Sequence, residues 1–127
     1  MGVVSVSLPD DFIDGLDEIQ RAYCLVGRSE AVRMAISATL DEIREYENMK
    51  GSVEGVLILV RGDHADPWMI QIQAKYQSAI KTQLHSHLKD NSCLEVMVMS
   101  CESQLLREMI SEIKSKGKAK YVRFVKE

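Results

Sequence analysis

In the second half of the chain, the spacing of apolar residues changes between the pattern of a strand and the pattern of a helix. The order of these changes limits the fold more than any other feature of the sequence. Residues 55–60 form a continuous apolar run, which is typical of a strand buried on both faces. Residues 80–88 and 93–100 each alternate between apolar and polar side chains. The segment 89–92 between them is a turn, where Asn91 tolerates left-handed geometry. This part of the chain predicts one buried strand followed by a hairpin.

Two helices and a last strand complete the pattern. Apolar residues at helical spacing follow Pro67, and a second helix over residues 103–115 is ended by Gly117. A short strand over 121–125 closes the chain. The order strand-helix-strand-strand-helix-strand predicts an α+β fold, in which residues 53–127 form a ferredoxin-like βαββαβ domain with both helices on one face of an antiparallel sheet.

The first part of the chain, residues 1–48, is patterned differently. Alternation over residues 3–8 predicts a short half-buried strand, and Pro9 suits the first turn of the helix that follows. A second amphipathic helix follows, and Ser29 is a candidate for its N-cap. Residues 49–53, which include glycine and serine, predict a linker to the second domain.

This first module needs a partner. One strand cannot bury its apolar face alone, and two helices give about 45 residues too small a core for independent stability. Pairing residues 3–8 with the same segment of a second chain would make a two-stranded ribbon above four helices, which is a ribbon-helix-helix module.

The sheet of the second domain predicts a further interface. Met97 and Met99 alternate with Leu94, Val96 and Val98 along one strand, so both faces of the strand are apolar. Helices cover only one face of such a sheet. We expect the valine face to pack on the helices and the methionine face to pack against another subunit.

Outward side chains of the ribbon are candidates for DNA recognition. Val3, Ser5 and Ser7 share that face, and hydroxyl groups can hydrogen-bond base edges in a major groove. Arg28 and Ser29, at the start of the second helix, can hold a phosphate. The alternatives are a solvated ribbon face and an ordinary helix cap. Residues 1–50 carry ten acidic and five basic side chains, so any DNA contact must come from a few placed groups.

Metal-binding residue types cluster around the predicted hairpin. His85 and His87 leave the same face of one strand, and Cys93 returns beside them after the turn. Two imidazoles and a thiolate suit nickel, copper, cobalt or zinc. Glu95 can orient a ligand from behind, or be a solvated carboxylate. Ordinary surface histidines are the alternative for the pair. His64, in an acidic loop, is interpreted as a solvated residue.

Other features exclude several classes of protein. There is no phosphate-binding loop or catalytic triad pattern, so we expect no enzymatic activity. No apolar run reaches the length of about 18 residues that a membrane span needs. Three widely spaced cysteines form no disulfide framework and favour a reducing cytoplasm. Cys24 is interpreted as a small packing residue.

Nearly the whole chain resembles the NikR family of nickel-responsive ribbon-helix-helix regulators. The strand from Val4 to Leu8 is similar to the family's DNA-reading strand, and residues 27–33 are similar to its Asn-Arg-Ser-Glu-Ala-Ile-Arg segment. Leu84-His-Ser-His87 and Cys93-Leu-Glu95 match the family's Leu-His-x-His and Cys-Leu-Glu signature.

The resemblance implies a homotetramer built as a dimer of dimers, with DNA-binding modules on either side of a core of ACT-like domains and nickel bound between subunits. Three positions depart from the family. Ala74 stands where the family has a histidine that ligates nickel from a neighbouring subunit. Val3 replaces an arginine on the ribbon, and Met34 replaces an acidic residue near the domain junction.

Together these features predict a metal-responsive repressor that binds a double-stranded DNA operator and controls metal uptake or homeostasis. The alternative is a ribbon-helix-helix regulator whose ACT-like domain senses a small molecule. With Ala74 offering no donor, the fourth metal position falls to water, to His64 or Tyr76, or to another subunit.

Overall fold

The computed structural model describes all 127 residues, which form two compact units, residues 1–45 and 46–127. The elements are, in chain order, α1 (Asp10–Ala22), α2 (Arg28–Glu47), β1 (Ser52–Arg61), α3 (Trp68–Lys75) with a following turn of 3₁₀ helix (Gln77–Ala79), β2 (Ile80–His87), β3 (Cys93–Glu102), α4 (Ser103–Ser115) and β4 (Ala119–Lys126). None of the helices combines the length and the apolar character that crossing a membrane requires.

The second unit is an α+β fold around one four-stranded antiparallel sheet. The strands lie in the order β2-β3-β1-β4, so the two central strands are β3 and β1. This confirms the predicted order of elements. Asn91 and Gly117 have φ angles of 65° and 67°, as the two predicted turns require.

The two faces of β3 are the reverse of those predicted. Met97 and Met99 are fully buried in the core with Leu57, Met69 and Leu106, whereas Val98 is 39% exposed on the opposite face. Alternation separates two sets of side chains but cannot say which set meets the helices when both are apolar. The methionine face is therefore interior, and the open apolar face of the sheet carries the alternating aliphatic residues of its central strands, namely Val56, Ile58, Val60, Leu94, Val96 and Val98.

The segment predicted as a linker is part of the second unit. Met49 is 7% exposed and Val53 is 2% exposed, and both belong to the core. The Arg107 guanidinium donates to the backbone carbonyls of Tyr46 and Met49 at 3.0 and 2.8 Å. These contacts hold the end of α2 against α4, because the last C=O groups of a helix have no partner within it.

The first unit buries very little. Residues 1–9 form no strand in the single chain, and Val3, Val4 and Val6 are 71–96% exposed. Helix α1 has no buried residue, and α2 has only Ala31. A β-strand needs a hydrogen-bonded neighbour, which one copy of this segment lacks. The ribbon therefore stays a prediction about two chains.

Helix α2 begins two residues earlier than an N-cap at Ser29 predicts. Its first residue is Arg28, so Gly27 is the N-cap, and the Ala31 N–H donates to the Gly27 carbonyl at 3.3 Å. Glu30 is then the third helical residue, and its carboxylate accepts from the Val26 N–H at 2.8 Å. The carboxylate satisfies a backbone group ahead of the helix, as the acidic member of a capping box does.

Candidate metal centre

The β2–β3 hairpin fixes the positions of three predicted site residues. His87 lies directly opposite Cys93, and His85 lies opposite Glu95. The Leu88 N–H donates to the Ser92 carbonyl at 2.8 Å and closes the turn. Because side chains alternate along each strand, these four leave the sheet on one face. The geometry brings both histidines and the cysteine together, as the sequence predicts.

A third imidazole joins this cluster. His64, His85, His87 and Cys93 each offer one donor atom, and these four atoms lie within 4.8 Å of one another. The His64 Nδ1 lies 3.2 Å from the Cys93 Sγ, and the His87 Nδ1 lies 4.0 Å from the same sulfur. Two donors bonded to one ion at about 2.0–2.3 Å lie at most about 4.6 Å apart, which is close to the donor separations in this cluster. The cluster has the size of a metal site.

Cys93 forms the interior of the site and the imidazoles form its outer side. The cysteine is fully buried, whereas all three histidines are exposed. The His64 ring centroid lies 4.3 Å from that of His87 and 5.1 Å from that of His85. An ion can therefore enter from solvent and meet the sulfur last.

A buried ion pair lies behind His85. Glu95 is 2% exposed, and its Oε1 accepts from the Arg61 guanidinium at 3.2 Å and from the His85 Nδ1 at 2.8 Å. The Gln73 amide donates to the other carboxylate oxygen at 3.4 Å. With Nδ1 held by Glu95, Nε2 is the nitrogen of His85 that remains for a metal. Glu95 is thus no solvated carboxylate but the orienting group behind a candidate ligand.

His64 is also favoured in the form that binds metals. Partial loss of hydration lowers the pKa of the His64 imidazole below the ordinary value, and the neighbouring His87 and His85 rings lower it further. A neutral imidazole has a free lone pair, whereas a protonated one has none.

The interpretation of His64 as a solvated loop residue misses its contact with the thiol. The signal lies in the sheet register, because Arg61 pairs with Cys93 and the residues just after Arg61 must pass beside that cysteine. Spacing along the sequence cannot reveal a pairing between strands that lie more than thirty residues apart.

Three other positions considered from sequence lie outside the cluster. Tyr76 is 5% exposed and packs in the core. Burial raises the pKa of its hydroxyl group, and the interaction with Glu112 raises that pKa further. Ala74 lies on α3 and carries no donor atom. Cys24, predicted to pack, is exposed just after α1 with a φ of 53°, because the chain turns there.

The predicted DNA-contacting residues all lie in the first unit and are exposed. Val3, Ser5 and Ser7 occupy the segment before α1, and Ser29 lies in the first turn of α2. Arg28 donates to both carboxylate oxygens of Asp17 at 2.9 and 3.2 Å, and these hydrogen bonds lower the pKa of Asp17. The guanidinium is therefore held in place while its side chain stays 59% exposed.

Known proteins resemble the chain over both units. Residues 55–126 match the family described as the NikR C-terminal nickel-binding domain. Relatives named as nickel-responsive regulators include one from Methanococcoides burtonii, 28% identical over 94% of this chain and 88% of its own length, and one from Methanococcus aeolicus, 27% identical over 97% and 89%. A third, from Nitratidesulfovibrio vulgaris, is 34% identical over 88% of this chain and 83% of its own length.

The family match covers the βαββαβ unit and includes the hairpin that carries His85, His87 and Cys93. From this match and from the length of the alignments, the chain belongs to the NikR family.

Proposed function

We propose that this protein is a nickel-responsive, DNA-binding repressor that controls metal uptake or homeostasis. The observation that carries the proposal is the convergence of His85, His87 and Cys93 on one face of the hairpin, in a domain whose family is described by nickel binding. The relatives' names describe them as nickel-responsive regulators, and their alignments span both units.

The residues fit a nickel ion by their chemistry. Imidazole nitrogen and thiolate sulfur are donors that nickel, copper, cobalt and zinc all accept, so affinity alone follows the general order in which copper binds most tightly. Burial of Cys93 and the hold of Glu95 on His85 supply the fixed donor positions that a selective site needs. Binding requires loss of the thiol proton, so affinity should fall as the pH is lowered.

DNA binding belongs to residues 1–48 in this proposal. Two copies of residues 3–8 would pair into a ribbon that presents Val3, Ser5 and Ser7 to the major groove of an operator. Arg28 and Ser29 would contact phosphates on either side. The exposed apolar stripe of α2 supports such a dimer, because Val32, Ile36, Leu40 and Ile43 are 39–54% exposed in the single chain.

A second uncovered surface supports the proposal of a homotetramer. The open face of the sheet carries Val98 at 39% and Leu84 at 55% exposure, and contiguous apolar patches of this kind mark interfaces. One pairing through the first unit and another through the sheet would produce a dimer of dimers.

A nickel titration of Cys93→Ser tests the proposal. The variant should lose the sulfur-to-nickel absorption band, and nickel should no longer strengthen or weaken its binding to operator DNA in a gel-shift assay. Cys24→Ser is the matched control, since Cys24 is exposed and outside the cluster. If Cys93→Ser binds nickel as tightly as the parent, the metal proposal is wrong. A small-molecule effector would then be the better explanation of the second unit.

A further inference from the structure

The loop between β1 and α3 carries the one histidine of the cluster that is not on the hairpin. His64 follows Arg61 by three residues, and Arg61 is paired with Cys93 across the sheet. The loop therefore leaves the sheet beside the sulfur, and the His64 Nδ1 approaches the Cys93 Sγ to 3.2 Å. This is closer than the approach of His87, which the hairpin itself places there.

The loop is held in this position by its own hydrogen bonds. The Asp63 carbonyl accepts from the Asp66 N–H at 3.0 Å, and the Asp63 carboxylate accepts from the Ala65 N–H at 3.3 Å. Asp66 accepts from the Trp68 N–H at 3.2 Å and pairs with Lys118 at 2.7 Å. His64 therefore lies in a turn whose conformation is fixed by hydrogen bonds.

We propose that His64 is the fourth protein ligand of the metal, so that the site is completed within a single chain. The inference rests on the proposed function of the hairpin residues. Its basis is the placement of four donor atoms from one chain within 4.8 Å. The family resemblance implied instead a donor from a neighbouring subunit at the position of Ala74, and an alanine methyl group supplies none.

Two consequences separate a site within one chain from a shared site. Metal affinity becomes independent of assembly, because no donor is lost when subunits dissociate. Metal binding also fixes the loop at Cys93, and the loop leads directly into α3, whose first residue, Trp68, is buried.

The first test is a nickel titration of His64→Ala and His64→Gln, with competition by a chelator. Each variant should bind nickel at least about 100-fold more weakly than the parent. Loss of a residue that only hydrogen-bonds to a ligand weakens binding by about 10- to 100-fold, so a direct ligand should exceed that range. The matched control is Gln83→Ala, an exposed β2 side chain whose register partner is Met97 and which lies outside the cluster. Cys93→Ser, measured in parallel, separates the two proposals. If it loses nickel while both His64 variants keep the parent affinity, this inference is wrong and the proposed function stands. If all three keep nickel, both fail.

A second test needs no change at His64. Nickel X-ray absorption of the parent protein should show three imidazoles and one sulfur, and Val98→Asp, designed to separate sheets, should bind nickel with unchanged affinity and spectrum. Two imidazoles in the parent, or loss of affinity when the assembly dissociates, would overturn the inference.

Discussion

The two units of this protein obtain their hydrophobic cores in different ways. The second unit buries fifteen apolar residues in one cluster within a single chain, whereas the first buries only Ala31. Both units consist of amphipathic elements. They differ in whether the surface that covers the apolar faces is present in the same chain. The fold of the second unit is intrinsic to the single chain, and we expect the fold of the first to be coupled to association, as in obligate dimers.

Introducing charge into the α2 stripe should break the first unit most severely. Ile36→Asp places a carboxylate where the proposed dimer buries an apolar side chain, and an unpaired buried charge costs several kcal/mol. We expect loss of the helical signal of α1 and α2 in circular dichroism and a fall of at least about 100-fold in DNA affinity, which is about 2.7 kcal/mol.

Ala38→Asp is the matched control for that change, because Ala38 lies on the opposite side of α2 from Ile36 and is also exposed. Trp68, the single tryptophan, reports on the second unit, whose unfolding should be the same in both variants. Equal helical content and equal DNA affinity in the two variants would show that the first unit folds without a partner.

The next largest effect compares two arginine–carboxylate pairs. Arg61 and Glu95 are 1% and 2% exposed, whereas Arg28 and Asp17 are 59% and 35% exposed. Arg61→Met leaves a buried carboxylate with fewer donors and should lower the free energy of unfolding by about 3–5 kcal/mol. Asp17→Asn should leave the unfolding of the first unit, followed by circular dichroism, nearly unchanged, because water screens the exposed pair.

Adding Glu95→Gln to Arg61→Met should restore part of the stability while weakening nickel binding, because His85 then loses its charged partner. A double variant no more stable than Arg61→Met alone would mean that the charge of Glu95 is not the source of the loss. Denaturant unfolding followed at Trp68 gives the free energy of unfolding of the parent, of Arg61→Met and of the double variant.

The two faces of β3 provide a smaller effect. Met97→Ala removes a fully buried side chain and should destabilise the second unit by about 2–5 kcal/mol, whereas Val98→Ala should cost the isolated sheet far less. Val98→Asp should leave the Trp68 transition in place and reduce the mass in light scattering from tetramer to dimer. If the variant keeps the mass of a tetramer, the interface between dimers does not include the open face of the sheet.

Contacts of the first unit with DNA should give the smallest changes. Arg28→Ala should weaken binding to all sequences and lower the slope of log affinity against log salt by about one. Ser5→Ala and Ser7→Ala should instead change sequence preference at nearly constant salt slope. If competition between operator variants gives the same ranking for parent and serine variants, the ribbon does not read the bases.

Sequence periodicity predicted the elements of the second unit because strands and helices impose different periods on their side chains. It predicted His85, His87 and Cys93 as neighbours because a hairpin of known turn fixes its own register. It assigned the wrong face of β3 to the core, since Met97 and Val98 are equally suited to burial. It missed the contact of His64, which depends on the pairing of Arg61 with Cys93, and that pairing is a property of the folded sheet.

The turn between β2 and β3 also restricts how this gene can change. His87 and Cys93 face one another only because five residues separate them, with Asn91 in left-handed geometry. Substitutions within the turn alter neither strand's alternation, but loss or gain of one codon there shifts the register by one residue and sends Cys93 to the other side of the sheet. Descendants that keep a working site should therefore vary in the composition of this turn while its length stays constant.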